Sequence, residues 1–227
     1  MSTAPITPSR TEAPDGMRQI LPDLWETSPF AVRNGPHTHA YLWTAPSGRN
    51  VLFYSPGSDH DFDRLQQLGG VTRQYLSHQD EAGPMLRAIA GRFGSRLHAP
   101  AAEVAAISAF TPIDTALSER GVDEAGVEVI PTPGHSPGST CYLVHGRNER
   151  RYLFTGDTLL RYPDGAWRTG YIPGYSNREG LFEALDILAG VQPDFVFSSA
   201  FVDGAAGFHE SDPTSWAAAL RQARAAL

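Results

Sequence analysis

Lysine is missing from this chain of 227 residues: all eighteen basic side chains are arginines. Such an absence follows genome composition more readily than function. Set against 25 acidic residues, the arginines leave a formal charge of −7. No basic run is present either, which excludes a nucleic-acid partner as the expectation. Cysteine occurs once, at Cys141, so there is no internal disulfide framework and a reducing compartment fits. Cys141 lies in the run Ser139-Thr140-Cys141-Tyr142-Leu143-Val144, which reads as a buried strand thiol rather than a nucleophile. No apolar run approaches the roughly 20 residues needed to cross a bilayer, and the first sixteen residues lack the apolar segment of a secretory signal. The expected location is the cytoplasm, with no membrane partner.

What is present is enough apolar material, 41% of the residues, to bury a sizeable core. The Pro-, Ser- and Thr-rich stretch Met1 to Gly16 reads as a flexible tail, and residues 17–227 as a single domain. Extended runs come first: Ile20 to Trp25, Thr38 to Trp43 and Asn50 to Tyr54, separated by Gly35-Pro36 and Pro46-Ser47-Gly48. The period then changes. Asp61 to Leu68 is a short helix stopped by Gly69-Gly70, Val71 to Leu76 a strand, and Pro84 to Phe93 a helix with Met85, Leu86, Ile89 and Phe93 on one face. Ser95 to His98 is a strand and Ala101 to Phe110 a third helix.

The second half repeats that order. Val127 to Ile130, Thr140 to Val144 and Arg151 to Phe154 are strands, and a Tyr-, Trp- and Gly-rich loop runs from Arg161 to Tyr175. Asn177 caps a helix through Leu188, Phe195 to Phe197 is the final strand, and Asp212-Pro213 opens a last helix. Two halves, each a sheet with helices outside, give a mixed α/β (α+β) chain folded as one four-layer αββα sandwich.

The stretch from Thr132 to Leu160 carries the chemistry. It reads Thr132-Pro133-Gly134-His135-Ser136-Pro137-Gly138, a strand, then Leu153-Phe154-Thr155-Gly156-Asp157-Thr158. His135 and Asp157 each stand where an extended run ends in a glycine-bearing turn. An imidazole and a carboxylate on strand-end loops are what a divalent metal site is made from. The pair resembles two ligand motifs of the metallo-β-lactamase superfamily, a fold shared by glyoxalase II and many other hydrolases, and the similarity covers nearly the whole chain after Gly16.

That resemblance implies further ligands, and here the chain departs from the pattern. Family members carry His-x-His-x-Asp-His after a strand ending in Thr-His; this chain has Leu76-Ser77-His78-Gln79-Asp80-Glu81-Ala82-Gly83. In one register His78 is the first ligand and Asp80 takes the second histidine's place. In the other His78 is the second ligand, Asp80 the aspartate and Glu81 the substitute for the third histidine. The first keeps the strand-end geometry and is preferred. The family's last histidine, in a turn after the final strand, is replaced by Ser198-Ser199-Ala200-Phe201; His209 lies eight residues further on and reads as a surface residue.

The implied metal ligands are then His78, Asp80, His135 and Asp157, enough for one Zn²⁺, Fe²⁺ or Mn²⁺ ion. The implied reaction is hydrolysis of an ester, thioester or lactone, with Asp157 orienting a water and Glu81 as general base. A small-molecule substrate is the expected partner, and a homodimer is compatible with the chain. Two other readings stay open: a non-catalytic ligand-binding relative with no ion, and an iron-dependent thiol dioxygenase. Three further features are ambiguous. His37 and His39 share one face of a strand, where a metal pair is one reading. Ser55 stands where the family has a buried acid, and Tyr162, Trp167, Tyr171 and Tyr175 either line a pocket or cover the core.

Overall fold

The computed structural model describes residues 16–32 and 35–227. The expected tail therefore lies outside the described residues, apart from Gly16. The first half of the chain supplies β1 (Arg18–Leu21), β2 (Leu24–Glu26), β3 (Phe30–Ala31), β4 (His37–Thr38), β5 (Tyr41–Trp43) and β6 (Val51–Phe53). Then α1 (Phe62–Gln67), β7 (Arg73–Tyr75), α2 (Pro84–Phe93), β8 (Arg96–Pro100), α3 (Val104–Ile107) and β9 (Thr115–Leu117) follow. The second half opens with β10 (Gly121–Val122), β11 (Glu128–Pro131), β12 (Thr140–His145) and β13 (Arg151–Gly156), followed by β14 (Leu160–Arg161) and β15 (Trp167–Arg168). It closes with α4 (Arg178–Ala189), β16 (Phe195–Ser198), β17 (Ala200–Phe201), β18 (Phe208–Glu210) and α5 (Pro213–Ala226).

These elements build a seven-stranded sheet, ordered β1-β2-β5-β6-β7-β8-β9, and a six-stranded sheet, ordered β10-β11-β12-β13-β16-β18. Between them lies an aromatic core. Phe53 and Tyr75 of the first sheet meet Tyr142, Phe154 and Phe197 of the second, with Phe154 stacked on Phe53 at 3.9 Å and on Phe197 at 4.9 Å. Leu76, Leu86, Leu97 and Ile107 fill the space between the first sheet and its helices. Leu153, Leu185, Leu188, Trp216 and Leu220 do the same beneath α4 and α5. The result is the four-layer αββα sandwich.

Local signals set the helix limits. Pro84 occupies the first turn of α2 and Gly94 takes the left-handed conformation after it. The Asn177 side chain accepts from Gly180 N at the start of α4, and Asp212 and Ser215 form a reciprocal capping box on α5. Three expectations are corrected. The helix expected over Ala101–Phe110 is only a 3₁₀ turn, Ala101–Glu103, followed by the short α3. Buried Glu103 is drawn inward, where its carboxylate accepts from Gln79 N at 2.6 Å and Gly138 N at 2.9 Å. The run Ile20–Trp25 is not one strand, because Pro22-Asp23 turns it back as a hairpin between β1 and β2. Phe195–Phe197 is not the last strand: β17 pairs with β4 and β18 with β16.

Candidate metal centre

Strand ends from both sheets converge at one edge of the sandwich. His78 follows β7 by three residues, His135 follows β11 by four, and Asp157 immediately follows β13. Gly156 is what lets β13 end there. Its φ is +54°, and a Cβ on it would stand 2.1 Å from Ser77 Oγ, so the Asp157 turn and the His78 strand end touch directly.

One donor atom from each of His78, His135 and Asp157 lies within 4.8 Å of the other two. The Nε2 atoms of His78 and His135 stand 3.6 and 3.8 Å from Asp157 Oδ2. Ligands on a shared tetrahedral ion, each about 2.0–2.2 Å from it, stand about 3.4 Å apart, so the spacing fits. Asp80 sits at the rim, its side chain about half exposed. Its Oδ2 is 3.6 Å from His135 Nε2 and 3.9 Å from His78 Nε2, and its Oδ1 accepts from Tyr175 Oη at 3.0 Å.

Hydrogen bonds behind the imidazoles choose the atoms they present. His135 Nδ1–H donates to Gly170 O at 2.5 Å. Its Nε2 is buried with no hydrogen-bond partner among the described residues, and an unpartnered ring nitrogen of this kind, aimed between carboxylates, suits a cation. His78 turns Nδ1 to Ser77 Oγ at 2.8 Å and Glu81 Oε1 at 3.3 Å, leaving Nε2 for the site. Burial opposes charge on His78, yet Glu81, Asp157 and Asp80 outweigh it and raise its pKa to about 9. The His135 ring holds Asp80 below the ordinary carboxylate range against the opposing effect of burial. The cluster is short of positive charge.

The other expected residues take different places. Glu81 does not face the donor cluster: it accepts from Ser77 N and Ser77 Oγ and stands behind His78. His39 is fully buried and bonded to Glu26, and His37 is stacked on Phe201. Ser55 lines the cavity beside His78. His209 lies on β18, accepting from Arg161 at Nδ1 and donating from Nε2 to Ala206 O. Cys141 is buried, and burial pushes its thiol up to about 11. Of the four aromatics, Tyr162 and Tyr171 line a cavity and Tyr175 packs against His135, whereas Trp167 covers the core under α5. Ser199 was not singled out by the sequence, although it stands at the vacated histidine turn: its Oγ donates to Asp157 Oδ1 at 2.6 Å.

Two cavities meet at Asp157. One of about 310 Å³ extends past His78 and Asp80 and is lined by Phe30, Val32, Pro56 and Met85. The other, of about 220 Å³, extends past His135 and is lined by Leu160, Tyr171, Ile172 and Phe201, with Arg161 as its basic residue.

The sequence profile of the metallo-beta-lactamase superfamily matches residues 21–225. The chain belongs to this superfamily. Its members share the fold of metal-dependent hydrolases, and the His78–His135–Asp157 cluster is the candidate metal site of this one. Solved structures agree on the fold. A metallo-β-lactamase with a HARLDQ motif from Cronobacter sakazakii is 18% identical, with a TM-score of 0.67 over 94% of this chain and 93% of that one. A metallo-β-lactamase from Hirschia baltica is 14% identical, with a TM-score of 0.68 over 90% and 95% of the two chains. One from Pontibacter korlensis is 13% identical, with a TM-score of 0.67 over 90% and 98%. No curated protein matches the chain. Among the described residues, no helix of this superfamily member is long and apolar enough to cross a membrane.

Proposed function

We propose that this protein is a hydrolase dependent on one divalent metal ion, acting on an ester, thioester or lactone. The observation that carries the one-ion reading is the bond from Ser199 Oγ to Asp157 Oδ1. It engages the carboxylate oxygen turned away from the two imidazoles, the one left to contact a second ion. His78, His135 and Asp157 Oδ2 would hold the ion, leaving an open position as catalytic sites do. When bound, the ion supplies a water of lowered pKa and polarises the substrate carbonyl.

The chain's own residues do the rest. Asp157 orients the water. Asp80, held ionised and open to solvent on one side, would take a proton from that water and pass it outward, or would hold the ion as a fourth ligand. This favours the register in which Asp80 replaces a histidine. Glu81, with both oxygens engaged, positions His78 rather than taking a proton. Carboxylates around the site disfavour anionic phosphodiesters. Apolar walls, with Phe30, Val32, Tyr171 and Ile172 all more than 40% exposed, suit a neutral substrate with hydrocarbon on both sides of the scissile bond.

Elemental analysis of the purified protein should find one equivalent of transition metal, with ester hydrolysis lost on chelation and restored by Zn²⁺, Mn²⁺ or Fe²⁺. Absence of both metal and restoration would sink the proposal in favour of a non-catalytic relative. A second reading is favoured by the donor set itself: two histidines and one carboxylate with open positions also suit non-haem iron. Oxygen consumption with a thiol substrate in the Fe²⁺ form, without ester hydrolysis, would select a thiol dioxygenase.

A further inference from the structure

Asp157 depends on the turn at Ser198-Ser199, and that turn depends on a residue from the other end of the chain. His39, fully buried, brackets it twice: its backbone N donates to Ser199 O at 3.3 Å and its ring Nε2 lies 2.9 Å from Ser198 O. The other ring nitrogen, Nδ1, lies 2.7 Å from Glu26 Oε1. Tyr41 Oη adds a third contact, 3.2 Å from the same Nε2, so the ring is engaged at both nitrogens. Glu26 is also ion-paired with Arg18. Burial works against its carboxylate, but His39 and Arg18 outweigh it and hold Glu26 below the ordinary range. The ring has no slack: a Cβ on Gly207 would stand 1.9 Å from His39 Cε1 and 2.7 Å from Tyr41 Oη.

A continuous chain of bonds thus runs Arg18, Glu26, His39, the Ser198-Ser199 turn, Asp157. A buried carboxylate bonded to a buried imidazole is an expensive way to fill a core, and nothing in the proposed hydrolysis consumes it. We infer that His39 is a positioning residue for the metal site: it fixes the Ser198-Ser199 turn so that Ser199 engages Asp157 Oδ1 and leaves Oδ2 directed at the ion. This inference rests on the metal-site reading. The sequence invited a metal-binding pair at His37 and His39; His39 instead acts on the metal site through two serines.

The test is Zn²⁺ affinity, measured by competition with a chromophoric chelator for wild type, Ser199→Ala, His39→Gln and the double variant, with thermal unfolding of each metal-free form. Ser199→Ala and His39→Gln should each weaken Zn²⁺ binding by about ten- to a hundredfold, the range for partners one step behind a ligand. The double variant should be no weaker than the worse single one, because both act through one bond to Asp157. Wild-type affinity in His39→Gln, or fully additive losses, would overturn the inference while leaving the metal site standing. A wild type that takes up no Zn²⁺ would overturn both. Should His39→Gln fail to fold, Ser199→Ala decides: wild-type Zn²⁺ affinity in that variant would overturn the inference, because the turn would then have no hold on Asp157.

Discussion

His78, His135 and Asp157 are held from behind before any ligand arrives: His78 by Ser77 and Glu81, His135 by Gly170 O, Asp157 by Ser199. Replacing His135 or Asp157 with alanine should therefore lower Zn²⁺ affinity by more than about a hundredfold, beyond the loss expected for a supporting residue. Chelator competition measures this, and the metal-free variants should stay folded. The proton on His78 gives the site a pH signature. Metal binding needs a neutral Nε2, and the ring's pKa in the metal-free protein is raised to about 9. Zn²⁺ affinity should thus climb with pH up to about 9 and then level, and uptake at pH 7 should release about one proton from this ring. Calorimetry in buffers of different ionisation enthalpy counts it. The same shift stabilises the metal-free fold below the unfolded pKa of about 6.5, and that contribution fades as pH rises through about 9.

At the scale of elements, strand ends and helix starts divide the work. The end of β13 is constrained twice over, by the left-handed φ of Gly156 and by its contact with Ser77. Gly156→Ala should lower stability by at least the roughly 1–2 kcal/mol of a left-handed alanine and disturb the metal site with it. The start of α5 offers the contrast. Its capping box at Asp212 is exposed and bonded to Thr214 and Ser215, none of them a candidate metal donor, so Asp212→Ala should lower stability by about 1 kcal/mol and leave Zn²⁺ affinity unchanged. Chemical denaturation beside chelator competition separates the two outcomes. Element existence was legible from the sequence wherever a period and a punctuating residue coincided, as for Pro84–Phe93, bounded by Pro84 and Gly94. It was not legible for β17 and β18, two and three residues long, which exist because β4 and β16 offer them edges. The expected third helix failed because Glu103 found buried backbone partners that no local pattern announces.

Across the whole molecule, the two sheets meet on aromatic side chains and the site opens at their common edge, with a cavity on either side of Asp157. The apolar walls are more than 40% exposed at Phe30 and Ile172, so their role should appear chiefly in substrate preference. Phe30→Ser and Ile172→Ser should each raise KM for a long-chain neutral ester roughly tenfold, about 1.4 kcal/mol of lost apolar contact, with kcat and thermal stability near wild type. Steady-state kinetics across an acyl-length series tests this; an effect independent of chain length would remove the walls from substrate recognition.

By itself the sequence pointed to the family and to a set of candidate donors. Glycines beside His135 and Asp157, and a strand ending at His78, are local signals, and chain chemistry of that kind survives in one dimension. Which atom of each donor is free was decided only in three dimensions. Ser77 and Glu81 turn His78, Gly170 turns His135, and Ser199 engages one oxygen of Asp157 while His39, 159 positions away from Ser198, holds that turn. A hydrogen bond spanning such a distance depends on how the first sheet meets the second, and sheet packing is set by the buried aromatic core rather than by any neighbour in sequence. The glycine-flanked pair named the site, and the packing of the two halves fixed which oxygen of Asp157 it offers.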